Sequence, residues 1–369
     1  DQQGDVTGGA EHSLALLIQH LPSDIEPAAV LFSEGAYAQR LRSMGIPVSV
    51  VVPPAAVTSS TRERPRARAC IGVAETIARV ATELRRMRVD LVHTNTIKAH
   101  LIGAPAARAA GLPCVVHLRD ILDGVGRLAL STVARCFTQE RIAISSAVSQ
   151  CYALPRTTVI ANPLALETYH ALPSRSSARA LLGIPDDGRP LFGIVGRINR
   201  WKGHDHFLRA VAFAAARSNI RCAIVGEARF RDADFLPELQ SLAGELGLEE
   251  RTTFVPWVDD PRVIFAALDV HCNCSDREPF GRTTVEAAAA GVPTIAFDDG
   301  GAPDLIDDGI SGFLVPAGDE EAFGRAILTY ARDPGARASA GLAARTASKR
   351  FQAPLHATRV AGILRRCAA

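Results

Sequence analysis

Two doubly wound α/β domains are the fold class that this sequence predicts, and three observations carry the prediction. Strand-length apolar runs alternate with helix-period segments along almost the whole chain. The alternation restarts after a polar stretch, Pro173 to Arg189, punctuated by Pro and Gly. The chain has 369 residues, 47% of them hydrophobic, enough for two ordinary cores. Alternating β and α elements imply mostly parallel sheets with helices on both faces, and ligands of such sheets bind beyond the carboxyl ends of the strands.

In the first half, Glu11 to Leu21 reads as a helix, and Ala28 to Phe32 and Val48 to Val52 as strands. Pro53 to Arg68, rich in Pro, Ser, Thr and Arg, reads as a loop of about 16 residues, a length that often carries function. Ile71, Ala74, Ile77, Ala78, Ala81 and Leu84 mark one face of an amphipathic helix. Strands follow at Asp90–His93, Cys114–His117 and Ile142–Ile144, and Pro173 to Arg189 reads as a linker. The second half gives strand Leu191–Val195, helix His204–Arg217, strand Cys222–Val225, helix Ala233–Leu246 and strand Thr252–Val255. Strand Leu268–Asn273, the helix former Val285–Ala290, strand 312–315 and two further helical stretches close it.

Bulk numbers exclude several roles. A net charge of +2 on 41 basic and 39 acidic residues argues against coating nucleic acid. No run approaches ~18 uninterrupted apolar residues, so no membrane span is expected. The first residues contain neither an initiator Met nor a signal-peptide core. The 8 cysteines are scattered without a C-x-x-C pair, which reads as structural thiols in a reducing cytoplasm. Lys98, Lys202 and Lys349 are the only lysines among the 41 basic residues; with abundant Ala, this composition suits a GC-rich bacterial genome.

The chain is organised around Arg277-Glu-Pro-Phe-Gly-Arg-Thr-Thr-Val-Glu286. A helix that opens after Gly281 presents free backbone N–H groups and a positive dipole end, which together form an anion site. Thr283 and Thr284 add hydroxyl donors. Glu278 lies before the helix and Glu286 about one turn inside it; ionised carboxylates, as pure acceptors, suit sugar hydroxyls. Alone, Glu286 would merely complement the dipole and Glu278 would be a solvated loop residue. Arg282 either offers a further donor near that anion or is a solvated charge, and is not assigned to the site. Adjacent Asp pairs at 186–187, 259–260, 298–299 and 307–308 read as turns, and no metal ligand is assigned.

Glu278-Pro-Phe-Gly followed by Glu286 resembles the E-x7-E signature of GT-B-fold retaining glycosyltransferases of the family-4 type. The likeness continues through Gly291-Val-Pro293, Gly300-Gly-Ala-Pro-Asp304 and Asp308-Gly-Ile-Ser-Gly-Phe-Leu-Val315, and upstream in Val195-Gly-Arg-Ile-Asn-Arg-Trp-Lys-Gly203. Those ordered matches span roughly 125 residues. Thr7-Gly-Gly-Ala-Glu11 and Val115-Val-His-Leu-Arg-Asp120 match more loosely, and Thr157 to Pro163 resembles the family's exit from its first domain without the usual Gly after Asn162. The family's apolar strand before the Gly-Gly turn is not found. Either the numbered chain begins inside the natural protein, or the protein departs from the family there.

The resemblance implies a GT-B fold, with two Rossmann-like domains facing a cleft. Residues 1–165 would form the acceptor-side domain, 166–351 the nucleotide-sugar domain, and 352–369 a helix returning to the first. Arg197 and Lys202 would neutralise the donor's diphosphate, Glu278 would hold hydroxyls of the transferred sugar, and His117 would approach that sugar. Glu286 would accept from the ribose hydroxyls. Gly8, Gly9, Phe280, Gly281, Thr283 and Thr284 would line the donor. Glu227, Trp257 and Val258 fall where the base would bind, and Asn95, Lys98, Arg119 and Asp120 on the acceptor side.

The implied function is retaining transfer from a nucleotide-diphosphate-sugar to a hydroxyl of a small-molecule, glycan or lipid-linked acceptor, without metal or other cofactor. A nucleotide-sugar epimerase and a non-catalytic nucleotide-sugar-binding subunit are the competing readings. Peripheral membrane contact through Arg62, Arg64, Arg66 and Arg68 is weighed against an ordinary surface loop, which is favoured.

Overall fold

A computed structural model describes residues 8–55, 67–228 and 232–368, with the backbone alone at 67–70. The chain divides into two compact units. One runs to Pro163 and resumes at Ala353, and the other spans Leu164–Gln352.

The first unit alternates α1 (Gly9–Gln19), β1 (Ala29–Leu31), α2 (Ala36–Ser43), β2 (Val48–Val50), α3 (Ala67–Met87) and β3 (Val92–Thr94). It continues with α4 (Ile97–Ala110), β4 (Cys114–Leu118), α5 (Gly124–Phe137), β5 (Glu140–Ala143), α6 (Ser146–Tyr152) and β6 (Thr157–Val159). β1 pairs with β2, and β3-β4-β5-β6 form a second sheet; every pairing is parallel. All five side chains of β4 are buried, because this strand lies inside a sheet covered on both faces. The final helix of the chain, Ala353–Ala368, belongs to this unit. Its Ala357, Val360, Ile363 and Leu364 pack with Leu17, Val115, Ile142 and Ile160.

The second unit begins with a 3₁₀ turn at Leu166–Tyr169 and α7 (Arg175–Leu181). It then runs β7 (Leu191–Val195), α8 (His204–Ala215), β8 (Arg221–Val225), α9 (Phe235–Glu245), β9 (Thr252–Val255) and α10 (Pro261–Ala267). β10 (Val270–Asn273), α11 (Arg282–Ala290), β11 (Thr294–Phe297), β12 (Gly312–Val315), α12 (Glu320–Arg332) and α13 (Pro334–Ser348) complete it. Its parallel sheet has the order β12-β11-β10-β7-β8-β9. From β7 the chain winds outward through β8 and β9, then returns to β10 and winds the other way. β7 and β10 are therefore neighbours at the topological switch point, beyond whose carboxyl ends doubly wound sheets bind their ligands.

The structure corrects three sequence expectations. The stretch 173–189 is not a plain linker, because it contains α7. Ser174 caps that helix by accepting the N–H of Ser177 at 3.2 Å, and the buried Arg179 donates to Asp269 at 2.7 Å. An N-cap and a buried ion pair thus override a polar composition. The loop expected to end at Arg68 gives way to α3 at Ala67. Of the basic cluster considered for membrane contact, Arg62, Arg64 and Arg66 lie outside the described residues, as does the side chain of Arg68. The helix carrying Glu286 begins at Arg282, ahead of the expected Val285, because Gly281 at φ 97° turns the chain directly into it. Other ends differ by about one or two residues. Among the described residues, no helix is long and apolar enough to cross a membrane.

Candidate functional site

In the second unit the loops after β7 and β10 lie side by side at the switch point. Backbone packing fixes their register: the amide of Asp276 donates to the Trp201 carbonyl at 2.8 Å, and a Cβ on Gly203 would stand 2.0 Å from the carbonyl oxygen of Cys274. Only glycine fits there. The approach brings the Lys202 ammonium onto Oε2 of Glu278, and the same Nζ lies 4.3 Å above the Trp201 ring. Ser275 Oγ lies within hydrogen-bond reach of Oε2 of Glu278, at 3.1 Å, and of Asn273 Oδ1, at 2.7 Å, and shares its one proton between them. Arg197, at the end of β7, is exposed and has no described ion-pair partner.

The backbone of Glu278 rests on Gly300 and Gly301. The Gly301 amide donates to the Glu278 carbonyl at 2.7 Å, and a Cβ on Gly300 would meet that carbonyl oxygen at 2.2 Å. Phe280 turns its ring inward, edge-on to Phe351, so only its backbone is offered to a ligand.

Gly281 is the N-cap of α11 and supplies no side-chain cap, which leaves amides at the helix start open to an anion. Thr283 is half-buried there. Thr284 is buried and its Oγ1 accepts from Asn273 Nδ2 at 3.4 Å, so its hydroxyl faces inward. Glu286 is buried one turn further on and accepts from Arg282 Nε at 2.8 Å. Burial pushes the Glu286 carboxyl above its ordinary range, and Arg282 opposes that shift. Cations and carboxylates are thus concentrated in the segments that follow β7 and β10, which form one wall of the unit: Arg197, Lys202–Glu278, Arg282–Glu286. Glu227 follows β8, tied to this wall by the Ile198 amide, which donates to its carbonyl at 2.9 Å. Trp257 is exposed after β9, its Nε1 donating to Asp259 at 3.0 Å, with Val258 half-buried beside it.

In the first unit the predicted residues Asn95, His117 and Arg119 converge at the carboxyl ends of β3 and β4. Arg119 Nε donates to Asn95 Oδ1 at 2.7 Å, its Nη1 to Asn162 Oδ1 at 2.5 Å, and its Nη2 lies 3.4 Å from His117 Nδ1. Asn95 Nδ2 reaches the Ala10 carbonyl at 3.3 Å and so ties in the Gly8–Gly9 turn that opens α1. Burial draws Arg119 down to about 10 and holds His117 well below its ordinary value. His117 is fully buried, flanked by His93 and His356 at ring separations of 5.4 and 6.1 Å. Lys98 is half-buried in the first turn of α4, and Asp120 offers its backbone carbonyl to the Tyr152 hydroxyl at 2.8 Å.

Sequence reasoning missed Arg282, Ser275, Asn162 and His356. Arg282 alone carried a readable signal, its spacing of four residues from Glu286 on a predicted helix.

A doubly wound unit with an anion-binding helix end at its switch point, joined in one chain to a second parallel α/β unit, defines the class: a GT-B-type architecture. The family model "Glycosyl transferases group 1" matches residues 182–347, and "Glycosyl transferase 4-like domain" matches residues 8–153. The chain belongs to the GT-B glycosyltransferases of the family-4 type.

A D-inositol 3-phosphate glycosyltransferase of Streptomyces avermitilis is 32% identical over 283 residues, covering 69% of this chain and 60% of that protein. The chain thus spans less than two thirds of that relative's length. The lipopolysaccharide core mannosyltransferase LpcC of Rhizobium leguminosarum is 33% identical over 178 residues, 48% of this chain and 50% of its own. Among solved structures, Anabaena Alr3699/HepE in complex with UDP superposes with a TM-score of 0.85 at 29% identity, covering 99% of this chain and 98% of that one. A Thermosynechococcus elongatus sucrose-phosphate synthase shares the fold at a TM-score of 0.73 and 21% identity, covering 86% of this chain and 82% of that one.

Proposed function

We propose that this protein transfers a sugar from a nucleoside-diphosphate-sugar to an acceptor hydroxyl with retention at the anomeric carbon and without a metal ion. The observation that carries the reading is the Lys202–Glu278 pair, which joins the loop after β7, where Arg197 also lies, to the loop after β10 that leads into the open start of α11 and Glu286. A diphosphate on the helix amides is met by Arg197 and by Lys202. As the glycosidic bond breaks, negative charge grows on the leaving phosphate, and fixed cations that attract it more strongly then than before lower the barrier.

Oε2 of Glu278 is occupied by Lys202 and Ser275, so its role is to hold sugar hydroxyls rather than to attack carbon. The departing phosphate oxygen takes the acceptor's proton on the same face, which yields retention. Side-chain cations and helix amides supply the positive charge that a metal would otherwise bring. UDP is the nucleotide favoured, because the Anabaena relative binds UDP, UDP-glucose, and UDP with glucose. The acceptor is a hydroxyl on a small molecule, glycan or lipid-linked glycan. The seven described cysteines are free, which suits work in a reducing cytoplasm.

The test is turnover of UDP-sugars in chelator, with the anomeric configuration of the product read by NMR. Transfer, or slow hydrolysis to free sugar with retained configuration, supports the proposal. A C-epimerised nucleotide-sugar would instead make the protein an epimerase, and a requirement for added metal would overturn the metal-free mechanism.

A further inference from the structure

The pair Arg282–Glu286 runs against helix electrostatics. Arg282 is the first residue of α11, where the dipole favours acids. An (i, i+4) pair is also better with its acid nearer the N-terminus. The other (i, i+4) pairs described, Glu75–Arg79 and Glu321–Arg325, obey that order at 3.9 and 3.4 Å and lie on the surface. Arg282–Glu286 reverses it, is closer at 2.8 Å, and leaves the glutamate side chain only 10% exposed. Helix stability does not explain this order, so its reason lies in the carboxylate.

We propose that Arg282 is a positioning residue for Glu286, fixing Oε1 so that Oε2 faces the vicinal hydroxyls of the nucleotide's ribose. This rests on the reading of Glu286 as a donor-binding carboxylate. Only Oε1 receives a hydrogen bond from the described residues, which leaves Oε2 to accept from a diol. The guanidinium also opposes the burial that favours the protonated acid, and a protonated carboxyl would no longer be a pure acceptor, since one of its oxygens becomes an O–H donor.

Among the described residues, the charged and titratable surroundings add no second cation to Glu286. Tyr169, on the 3₁₀ turn packed against α11, is held un-ionised by burial. Asp260, at the start of α10, is engaged by Arg262. His271 on β10 is held neutral by burial, and Arg345 of α13 meets the other end of the helix, at Gly291. Among the described residues, Arg282 is therefore the group that favours the charged form of Glu286.

The experiment is calorimetric titration of UDP and 2′,3′-dideoxy-UDP into the parent protein and into Arg282→Gln, Arg282→Lys and Glu286→Gln, with melting temperatures confirming that each variant folds. Arg282→Gln should weaken UDP several-fold at mildly acid pH, where the unassisted carboxyl takes up its proton, with the gap narrowing as pH rises. Binding of dideoxy-UDP, which lacks the diol, should hardly change, and Arg282→Lys should recover part of the loss. An equal loss for both nucleotides at every pH would mean that Arg282 acts on the diphosphate or the fold, and would overturn the proposal. If Glu286→Gln weakens UDP while Arg282→Gln does not, the proposal alone falls. If Glu286→Gln leaves UDP binding intact, the donor reading of Glu286 falls first.

Discussion

Lys202 and Glu278 are separated by 76 residues in sequence and share one ion pair across the switch point. Each side chain is partly shielded, with 19% and 12% of its surface exposed, so neither is an ordinary solvated charge. In the proposed mechanism the pair acts as a unit, the ammonium on the phosphate side and the carboxylate on the sugar side. Lys202→Ala and Glu278→Gln should each lower the transfer rate about a hundredfold or more. The double variant should be little worse than either single one, because removing one partner already disables the other. Steady-state kinetics on the three variants checks this. Additive losses would show two independent residues.

Gly300 supports that pair from beneath. Its φ is +58°, and a Cβ there would collide with the backbone of Glu278 at 2.2 and 2.7 Å. Gly300→Ala should therefore displace the loop holding Glu278, lowering both the melting temperature and the transfer rate, the latter by about tenfold or more. Gly188 offers a control. At φ +81° with open space around it, its alanine variant meets only backbone strain, about 1–2 kcal/mol, and should keep full activity per folded molecule. Thermal melts and specific activities of the two variants separate collision from strain.

Much of this wall was legible in the chain because its parts sit in short loops after strands. Gly196, Arg197, Lys202 and Gly203 follow one apolar run, and Glu278, Gly281 and Glu286 follow another. The switch point that makes the two loops neighbours depends on strand order, which periodicity does not contain. Arg282 was misjudged for a different reason: a single Arg after a Gly looks solvated until the helix is known to begin at it. The Arg119 cluster was least legible. Asn162 comes from the end of β6 and His356 from the last helix, and no local pattern links them to His117.

Arg179 shows how a polar stretch conceals a structural core. Its side chain and that of Asp269 are each 2% exposed, and they meet at 2.7 Å, while Asp269 also accepts the amide of Leu191 at 2.8 Å. The pair anchors α7 to the start of β7 and the end of α10. Arg179→Ala would leave Asp269 buried with only the partial companionship of Arg175 and Arg337, at 3.1 and 3.8 Å. The expected cost is about 3–5 kcal/mol, measured by urea unfolding. A loss below about 1 kcal/mol, typical of an exposed pair, would mean that solvent reaches the site.

Acid should unfold this protein through its histidines. Burial holds His93 and His100 at about 3 and His356 at about 4, against an ordinary value of 6.5, and His117 lies well below that value too. His204 and His271 in the second unit are depressed to about 4 and about 3 by the same cause. All these rings are neutral in the folded state, whereas in the unfolded chain they take protons below about pH 6.5. The unfolded state then binds more protons, so stability is complete above that pH and drains away as pH falls toward the folded values. Each ring contributes a slope of up to about 1.4 kcal/mol per pH unit. Urea unfolding between about pH 7.5 and pH 5 should show a steep loss of stability. His356→Gln should make that loss shallower by about one proton, since it removes one buried ring. A profile that stays flat down to about pH 5 would mean that these rings accept protons in place, with water or a local opening relieving the burial.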